Sequence, residues 1–365
     1  MRVALAGIGF MGRAHSFAWR NVGAVYGLPV EMAAVAGGPE DSEDDIRAFA
    51  RRWGWQSYTT NWQDLIDGPA EVIDVCVPND MHADIAVASL GRGKHVLCEK
   101  PISNTLQDAV RMNQAAAEAA HLGVYSSLAF VYRRMPAVKL AKELLLDGQF
   151  GEVRHFSARF LQDWLVDEGR PASWRLLRKI SGSGVIGDLG AHLIDLILYL
   201  TEDELTISST KVRRFTDVRP YKSSNLEIDT EESAVSIGSL ARGGLVDLHM
   251  SRVAASHKAG MSFDIFCRYG RISYALQRPG ELVVISEGDS NIGVVERTIL
   301  VTERSHPYQD FWWEPGQPVG YENAHIHQVG DFLSAIHQRR SPEPSFADGL
   351  RVQRIMNDML TQDSV

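Results

Sequence analysis

Apolar residues in the first 128 positions cluster in short runs at 2–6, 30–36, 72–77, 95–98 and 124–127, with helix-patterned stretches near 11–22, 43–54, 81–91 and 105–121 between them. Such alternation predicts a parallel sheet with helices on both faces, because a parallel connection must cross over and a helix fills the crossover. The rhythm changes near 128–135. A helix over 136–147, a strand from Val153 to Leu161 and a helix over about 185–200 come next. β-type runs then succeed one another at 211–218, 233–240, 244–250, 262–268, 271–276 and 281–286, with turns and no helices between them. That pattern predicts a mostly antiparallel sheet with one open face. Two helices, over 323–338 and 347–361, flank Ser341-Pro342-Glu343-Pro344 near the end. The expected organisation is two domains, α/β over 1–128 and α+β over 129–365, with no internal repeat.

At 365 residues the chain is long enough for two hydrophobic interiors. A hydrophobic content of 45% and a charged content of 23% are ordinary for a globular protein. The net charge of -9 leaves no basic surplus for phosphates, which argues against nucleic acid or an anionic membrane as partner. No apolar run is read as approaching the roughly 20 residues that span a bilayer. The opening Met1-Arg2-Val3-Ala4-Leu5-Ala6-Gly7 breaks into glycines and reads as a buried strand, not a targeting segment. Cys76, Cys98 and Cys267 cannot all pair, and the apolar runs at Cys76 and Cys98 point to reduced core thiols in a cytoplasmic protein.

Gly7-Ile8-Gly9-Phe10-Met11-Gly12 has the form G-x-G-x-x-G and stands between an apolar strand and a helix pattern, with a second strand starting near 30. This context predicts the dinucleotide site of a Rossmann domain. The first glycine allows the tight turn, the second lets backbone approach a pyrophosphate, and the third lets helix and strand pack closely. The helix start then offers free N–H groups to the phosphates. The segment after the second strand, Val35-Ala36-Gly37-Gly38-Pro39, lacks the acid expected to bond the ribose hydroxyls. Glu40, Asp41, Glu43, Asp44 and Asp45 follow at once, and their charge would repel a 2′-phosphate. NAD is therefore the expected cofactor, with Arg47, Arg51 and Arg52 keeping NADP open.

Val96-Leu97-Cys98-Glu99-Lys100-Pro101 resembles the Glu-Lys-Pro motif of the glucose–fructose oxidoreductase / inositol dehydrogenase / rhizopine catabolism (Gfo/Idh/MocA) family. Gly184-Val185-Ile186-Gly187-Asp188-Leu189-Gly190-Ala191-His192-Leu193-Ile194-Asp195 is similar to that family's D-x-x-x-H catalytic helix, and Val77-Pro78-Asn79-Asp80-Met81-His82 to its P-N-x-x-H segment. With the glycine loop, four motifs stand in the family's order within the first 200 residues. Phe10-Met11-Gly12-Arg13-Ala14-His15-Ser16, Tyr132-Arg133-Arg134, Leu161-Gln162-Asp163-Trp164 and Ser173-Trp174-Arg175 are similar to segments of its levoglucosan- and inositol-oxidising branch. So are His306-Pro307-Tyr308 and Pro344-Ser345-Phe346-Ala347-Asp348-Gly349, although the stretch over 215–230 is shorter than in that branch. The resemblance implies an NAD(P)-dependent dehydrogenase acting on a CH–OH group of a sugar or cyclitol. It implies cofactor contacts from Gly7, Gly9, Phe10, Met11, Gly12, Pro78, Asn79, His82, Glu99 and Lys100. It also implies a homotetramer, in keeping with an open sheet face that too few helices cover.

Oxidising a secondary alcohol removes a hydride and a proton, so the protein must supply a base. Asp188 and His192 are four apart and would share one helical face. His192 suits proton removal near neutrality, and Asp188 could orient it or hold a neighbouring hydroxyl. Asp195 reads as support or helix packing. Lys100 follows a strand end, at the carboxyl edge where open α/β sheets bind ligands, and its ammonium could stabilise developing alkoxide charge. Tyr132, Arg133, Gln162, Trp164, Trp174 and Arg175, with Asp188 and His192, offer the hydrogen-bonding groups and aromatic faces that a carbohydrate needs. No tight ligand set is present, and His325 and His327 diverge on a helix, so no metal is expected. Two rival functions stay open. One is an NAD-dependent glycosidase that works through a 3-keto intermediate with the same lysine and histidine. The other is a nucleotide-sensing regulator, which would not need Lys100, Asp188 and His192.

Overall fold

The computed structural model of the protein describes residues 1–286 and 294–362. They form two compact units, one of Met1–Val131 with Glu322–Gln353, the other of Tyr132–Tyr321 with the chain from Arg354.

In the first unit the apolar runs become strands β1 (Arg2–Ala6), β2 (Glu31–Ala36), β3 (Ser57–Thr59), β4 (Val72–Val75), β5 (His95–Cys98) and β6 (Ser126–Leu128). The intervening stretches become helices α1 (Phe10–Tyr26), α2 (Glu43–Trp53), α3 (Gln63–Asp67), α4 (His82–Gly91) and α5 (Leu106–Ala120). The sheet is parallel throughout, in the order β3-β2-β1-β4-β5-β6. Strand order reverses between β1 and β4, and it is outside the carboxyl ends at such a switch point that open α/β sheets bind ligands. Helices cover both faces, so the strands are buried almost without interruption: Val3, Ala4, Leu5 and Ala6 are all 0% exposed. The short β3 and α3 carry too few apolar residues to register in the pattern of the sequence.

Residues 322–353 belong to this unit, although chain order alone groups them with the second domain. The Leu128 N–H and the Ser127 hydroxyl both donate to the Pro344 carbonyl, at 3.0 and 2.7 Å. A Cβ on Gly349 would lie 2.0 Å from Leu128 Cδ1, and one on Gly330 would lie 2.4 Å from the Tyr26 ring, so two glycines permit the docking.

The second unit contains α6 (Pro136–Leu146), β7 (Val153–Leu161), α7 (Arg178–Ser181), α8 (Ala191–Thr201), β8 (Leu205–Arg213), β9 (Val218–Tyr221), β10 (Ser224–Glu227), β11 (Ser233–Leu240), β12 (Leu245–Ser251), β13 (Gly260–Cys267), β14 (Gly270–Ala275), β15 (Glu281–Ser286) and β16 (Glu296–Leu300). The last two helices of the chain are α9 (Tyr321–His337) and α10 (Phe346–Gln362). Eight strands make one sheet in the order β16-β15-β14-β13-β7-β12-β11-β8, antiparallel at every junction except β7–β12. Strict alternation of buried and exposed residues along β11 and β12 gives the sheet one core face, against which α6 and α8 lie.

Two expectations are corrected. The run at 211–218 is not one strand: β8 starts at Leu205 to bury Leu205 and Ile207, and a turn held by Arg214 Nε on Asp217 Oδ1 (2.9 Å) separates it from the β9–β10 hairpin. The expectation that no apolar run approaches membrane-spanning length also fails. One helical stretch among the described residues, Arg178–Thr201, is 24 residues long and apolar enough to cross a membrane. Of its apolar window, 89% is buried inside the fold, as befits a core helix.

Candidate active site

The turn from β1 into α1 needs glycine at two places and leaves room at a third. Gly7 has φ +107°, and a Cβ there would sit 2.3 Å from the Cys76 carbonyl oxygen. A Cβ on Gly12 would sit 2.1 Å from the Gly7 carbonyl oxygen, whereas one on the exposed Gly9 would meet nothing within 4 Å. Gly9 caps α1 without a side-chain acceptor, and no acid stands in the first turn, so the opening N–H groups are available to an anion. These features fit a dinucleotide pyrophosphate. At the end of β2, Asp41 Oδ2 accepts the Gly38 N–H at 2.7 Å, which returns a carboxylate to the place where the sequence reading leaves the ribose acid unassigned. Arg47 is engaged by Asp44, and Arg52 lies 5.9 Å from the centre of the Trp53 ring.

Glu99 and Lys100 follow β5 directly. Lys100 is half-buried, and its backbone N–H donates to Glu99 Oε2 at 3.1 Å. Pro78 and Asn79 occupy the equivalent place after β4, where a short 3-10 turn covers Asn79–Met81. His82 is 0% exposed, with its ring nitrogens 3.0 Å from the Pro101 carbonyl oxygen and 3.1 Å from that of Val77. It therefore ties two strand-end loops together, and burial pushes its pKa below the ordinary value. Phe10, Met11, Pro78 and Lys100 keep exposed surface among the expected cofactor residues, while Asn79, His82 and Glu99 are buried.

In the second unit, the glycine-rich segment before α8 winds as a π-helical turn over Ile186–Gly190. Glu231 Oε1 accepts the Gly184 and Ile186 N–H groups at 2.7 and 3.2 Å. A Cβ on Gly184 would lie 2.0 Å from the Glu231 carbonyl oxygen, so only glycine lets the turn approach that backbone, while one on Gly190 would lie 2.8 Å from the movable Met250 Sδ. Asp188 sits within the wide turn and His192 in the α-helix beyond it, which replaces the plain four-residue spacing with a turn type that recurs at functional sites. Between Ser183 and Leu198, all described, every residue but Asp188 is buried, and the Asp188 side chain is 24% exposed.

The structure brings Tyr132 and His192 together, ring edge to face, with centroids 4.7 Å apart, and Phe160 lies 6.0 Å from the same imidazole. Arg133, expected at the substrate, instead grips Asp195 in a buried fork, Nε to Oδ2 at 2.8 Å and Nη2 to Oδ1 at 2.5 Å. Removing either partner would strand a buried charge at a cost of about 3–5 kcal/mol. Arg133 thus braces the helix that carries His192. The Gln162 backbone continues the β7 ladder, donating to the Ser251 carbonyl at 2.8 Å and accepting from the Ala254 N–H at 2.9 Å. Half-buried Trp164 has the guanidinium carbons of Arg252 and Arg170 each 5.3 Å from its ring centre, and Arg175 lies 4.4 Å from that of Trp174. Guanidinium groups therefore take up part of the aromatic surface expected to meet a sugar.

Arg252, just past β12, escapes the sequence reading because a lone arginine after a strand carries no signal. It is 0% exposed, with Nη1 3.8 Å from Asp188 Oδ2 and Nη2 donating to the Glu231 carbonyl at 2.8 Å. Burial pulls its pKa below the usual arginine value, against the opposing pull of Asp188. Another missed group, His15 with Asp74, does leave a trace in the sequence. An aspartate inside the apolar run Val72-Ile73-Asp74-Val75 of a central strand must be paired to be tolerated.

Comparison with known proteins fits this geometry. Residues 1–126 match the family model for an oxidoreductase family with an NAD-binding Rossmann fold, and residues 138–273 match that for the GFO/IDH/MocA C-terminal domain. The chain belongs to the Gfo/Idh/MocA family of oxidoreductases. Levoglucosan dehydrogenase of Pseudarthrobacter phenanthrenivorans is 32% identical over 97% of this chain and 94% of its own. Glucose-6-phosphate 3-dehydrogenase of Bacillus subtilis is 25% identical over 100% of this chain and 96% of its own. Among solved structures, levoglucosan dehydrogenase in complex with NADH and L-sorbose superposes with a TM-score of 0.95 at 31% identity, covering 100% of this chain and 96% of that one. Gfo/Idh/MocA membership makes residues 1–126 an NAD-binding domain and the protein an oxidoreductase.

Proposed function

We propose that the protein is an NAD-dependent dehydrogenase that oxidises a ring secondary hydroxyl of a neutral sugar or cyclitol to the ketone. Asp188 carries the reading. Its carboxylate reaches the surface from an otherwise buried helical stretch, with the Arg252 cation behind it and His192 on the following turn beside Tyr132. NAD, when bound, supplies the acceptor for the hydride. His192 takes the proton of the reacting hydroxyl, Asp188 accepts a hydrogen bond from a neighbouring one, and Lys100 donates to the reacting oxygen as charge develops there. The three cysteines, buried and free, suit a reducing cytoplasm.

The partnering of the cations supports a neutral substrate. Arg133 is bound to Asp195, Arg252 lies against Asp188, Arg175 covers Trp174, and Lys258 pairs with Asp163 at 2.8 Å. Each is already matched by a carboxylate or an aromatic ring, which suits hydroxyl recognition better than capture of a phosphate. Relatives named for levoglucosan and for glucosides support a sugar, and the relative named for glucose 6-phosphate makes substrate charge the decisive point. The test is NADH formation across levoglucosan, inositols, methyl glucosides, glucose 6-phosphate and glucuronate. A neutral ring compound is expected to give the highest kcat/KM. An anionic sugar better by about tenfold, a difference of about 1.4 kcal/mol, would overturn the neutral pocket. Release of aglycone from a glucoside without net NADH would establish the glycosidase route instead.

A further inference from the structure

Beneath the cofactor cradle, wholly inside the first unit, lies a chain of buried ionisable groups that the proposed chemistry does not use. Asp74 is in the middle of β4, one of the two central strands, and is 0% exposed. It accepts from the Trp19 indole N–H at 2.6 Å, and both its oxygens lie within hydrogen-bond distance of His15 Nδ1, at 2.9 and 3.0 Å. His15, on α1 and also 0% exposed, has its other nitrogen, Nε2, 3.1 Å from Glu99 Oε1. Glu99 is 5% exposed, and its second oxygen takes the Lys100 backbone N–H.

The geometry fixes the proton count. A neutral imidazole has one N–H and so could donate to one carboxylate only, leaving the other nitrogen's lone pair against an anion. With a carboxylate at each nitrogen, the imidazolium satisfies both sides and offsets one of two buried negative charges. The remaining neighbours agree. Burial, the largest single influence, lowers the His15 pKa, but Asp74 and Cys76 together raise it and the value ends well above 6.5. The Cys76 thiol, beside Asp74, is pushed well up by burial and stays protonated. His325, whose ring centre is 5.4 Å from that of His15, has its pKa pushed well down by burial and then by His15, and so stays neutral. The ligand atoms of His15, Asp74 and Cys76 lie within 4.8 Å of one another, as a metal site would require. Both imidazole nitrogens already lie within hydrogen-bond distance of a carboxylate, which leaves neither lone pair directed at an ion.

We propose that His15 is a positioning residue for Lys100: a buried imidazolium, anchored on Asp74, that grips Glu99 and so sets the carboxylate that receives the lysine's backbone N–H. This rests on the reading of Lys100 as the donor to substrate, but its first test needs neither substrate nor turnover. In full-length protein labelled with 15N-histidine, the His15 ring, assigned by its loss in His15→Asn, is expected to show two protonated nitrogens at neutral pH, where an ordinary histidine is mostly neutral. A neutral ring at pH 7 would overturn the proposal whatever the enzyme oxidises. The second test is kinetic, with the best substrate of the wild type. His15→Asn and Glu99→Gln should each lower kcat by about tenfold to a hundredfold, the range expected when a group that orients another is lost. NADH affinity of His15→Asn, read by fluorescence, should change much less. The double variant should be no worse than the weaker single one, because both changes break the same link. Multiplying losses, or losses confined to NADH affinity, would reduce His15 to structural support. If His15→Asn fails to fold, Glu99→Gln still decides, since unchanged kcat in that variant sinks the proposal. Wild-type turnover in Lys100→Ala would instead sink the reading of Lys100 and leave the His15 spectrum standing.

Discussion

At the scale of single residues, the ionisable groups divide into those that keep contact with solvent and those that hold them in place. Lys100 and Asp188 keep surface. Arg252, Arg133, Asp195, His15 and Asp74 are buried and lie behind or beside them. A buried cation lies within 4 Å of Asp188, and the fork on Asp195 fixes the helix that carries His192. Lys100→Ala should lower turnover by about two orders of magnitude or more, the scale for losing a preorganised donor to developing negative charge. NADH binding, followed by fluorescence, should survive, since the glycine cradle does not depend on the lysine side chain. Turnover close to the wild type would remove Lys100 from that role.

At the scale of elements, two turns do most of the positioning. The π-helical turn before α8 aims Asp188 outward from a stretch that is otherwise interior, and glycine at 184 lets the Glu231 backbone approach it. The loop from β2 into α2 governs the choice of cofactor. Asp41 is folded back onto the Gly38 N–H, Ser42 caps α2 by accepting from the Asp45 N–H, and Arg47 is drawn to Asp44. That arrangement gathers carboxylates just after β2 and draws Arg47 toward one of them. NAD should therefore exceed NADP in kcat/KM at low ionic strength, and the preference should shrink as salt screens the loop. Asp41→Ala should narrow the ratio further. A preference for NADP at low salt would mean that Arg47, Arg51 or Arg52 reaches the phosphate.

At the scale of the whole molecule, α6 and α8 pack against one side of the second unit's sheet, and among the described residues its other side keeps exposed side chains. Its open face mixes exposed Val235, Ile237, Leu245 and Phe266 with bonded polar groups, including His155 on Asp247 at 2.6 Å and Arg159 on Ser262 at 2.9 Å. Apolar side chains spread over neighbouring strands and interleaved with matched polar groups make a surface able to pair with its own copy. Light scattering at micromolar concentration should show a homo-oligomer, with a tetramer expected. Ile237→Lys on this face should shift it toward smaller species without unfolding the protein. A wild-type monomer would contradict the assignment of this face.

How much of this was legible in the sequence depends on the range of the forces involved. The parallel sheet, the glycine cradle and the two-domain plan follow from local periodicity and from the steric needs of Gly7 and Gly12, so a linear reading reaches them. The motif at Glu99-Lys100 and the pair Asp188 and His192 were also in plain view as residues, since their types and order carry the chemistry. Their settings were not. The spacing of Asp188 and His192 predicted a shared α-helical face, yet the wide turn between them depends on Glu231 and Met250, 43 and 62 residues beyond Asp188. Arg133 offered a cation to a substrate until tertiary packing set it on Asp195, 62 residues away. Residues 322–353 read as part of the second domain because chain order was the only guide, whereas packing placed them on the first. Local sterics and side-chain chemistry are written residue by residue. The partner of a buried charge is chosen by the fold, because only desolvation in the folded chain makes pairing compulsory.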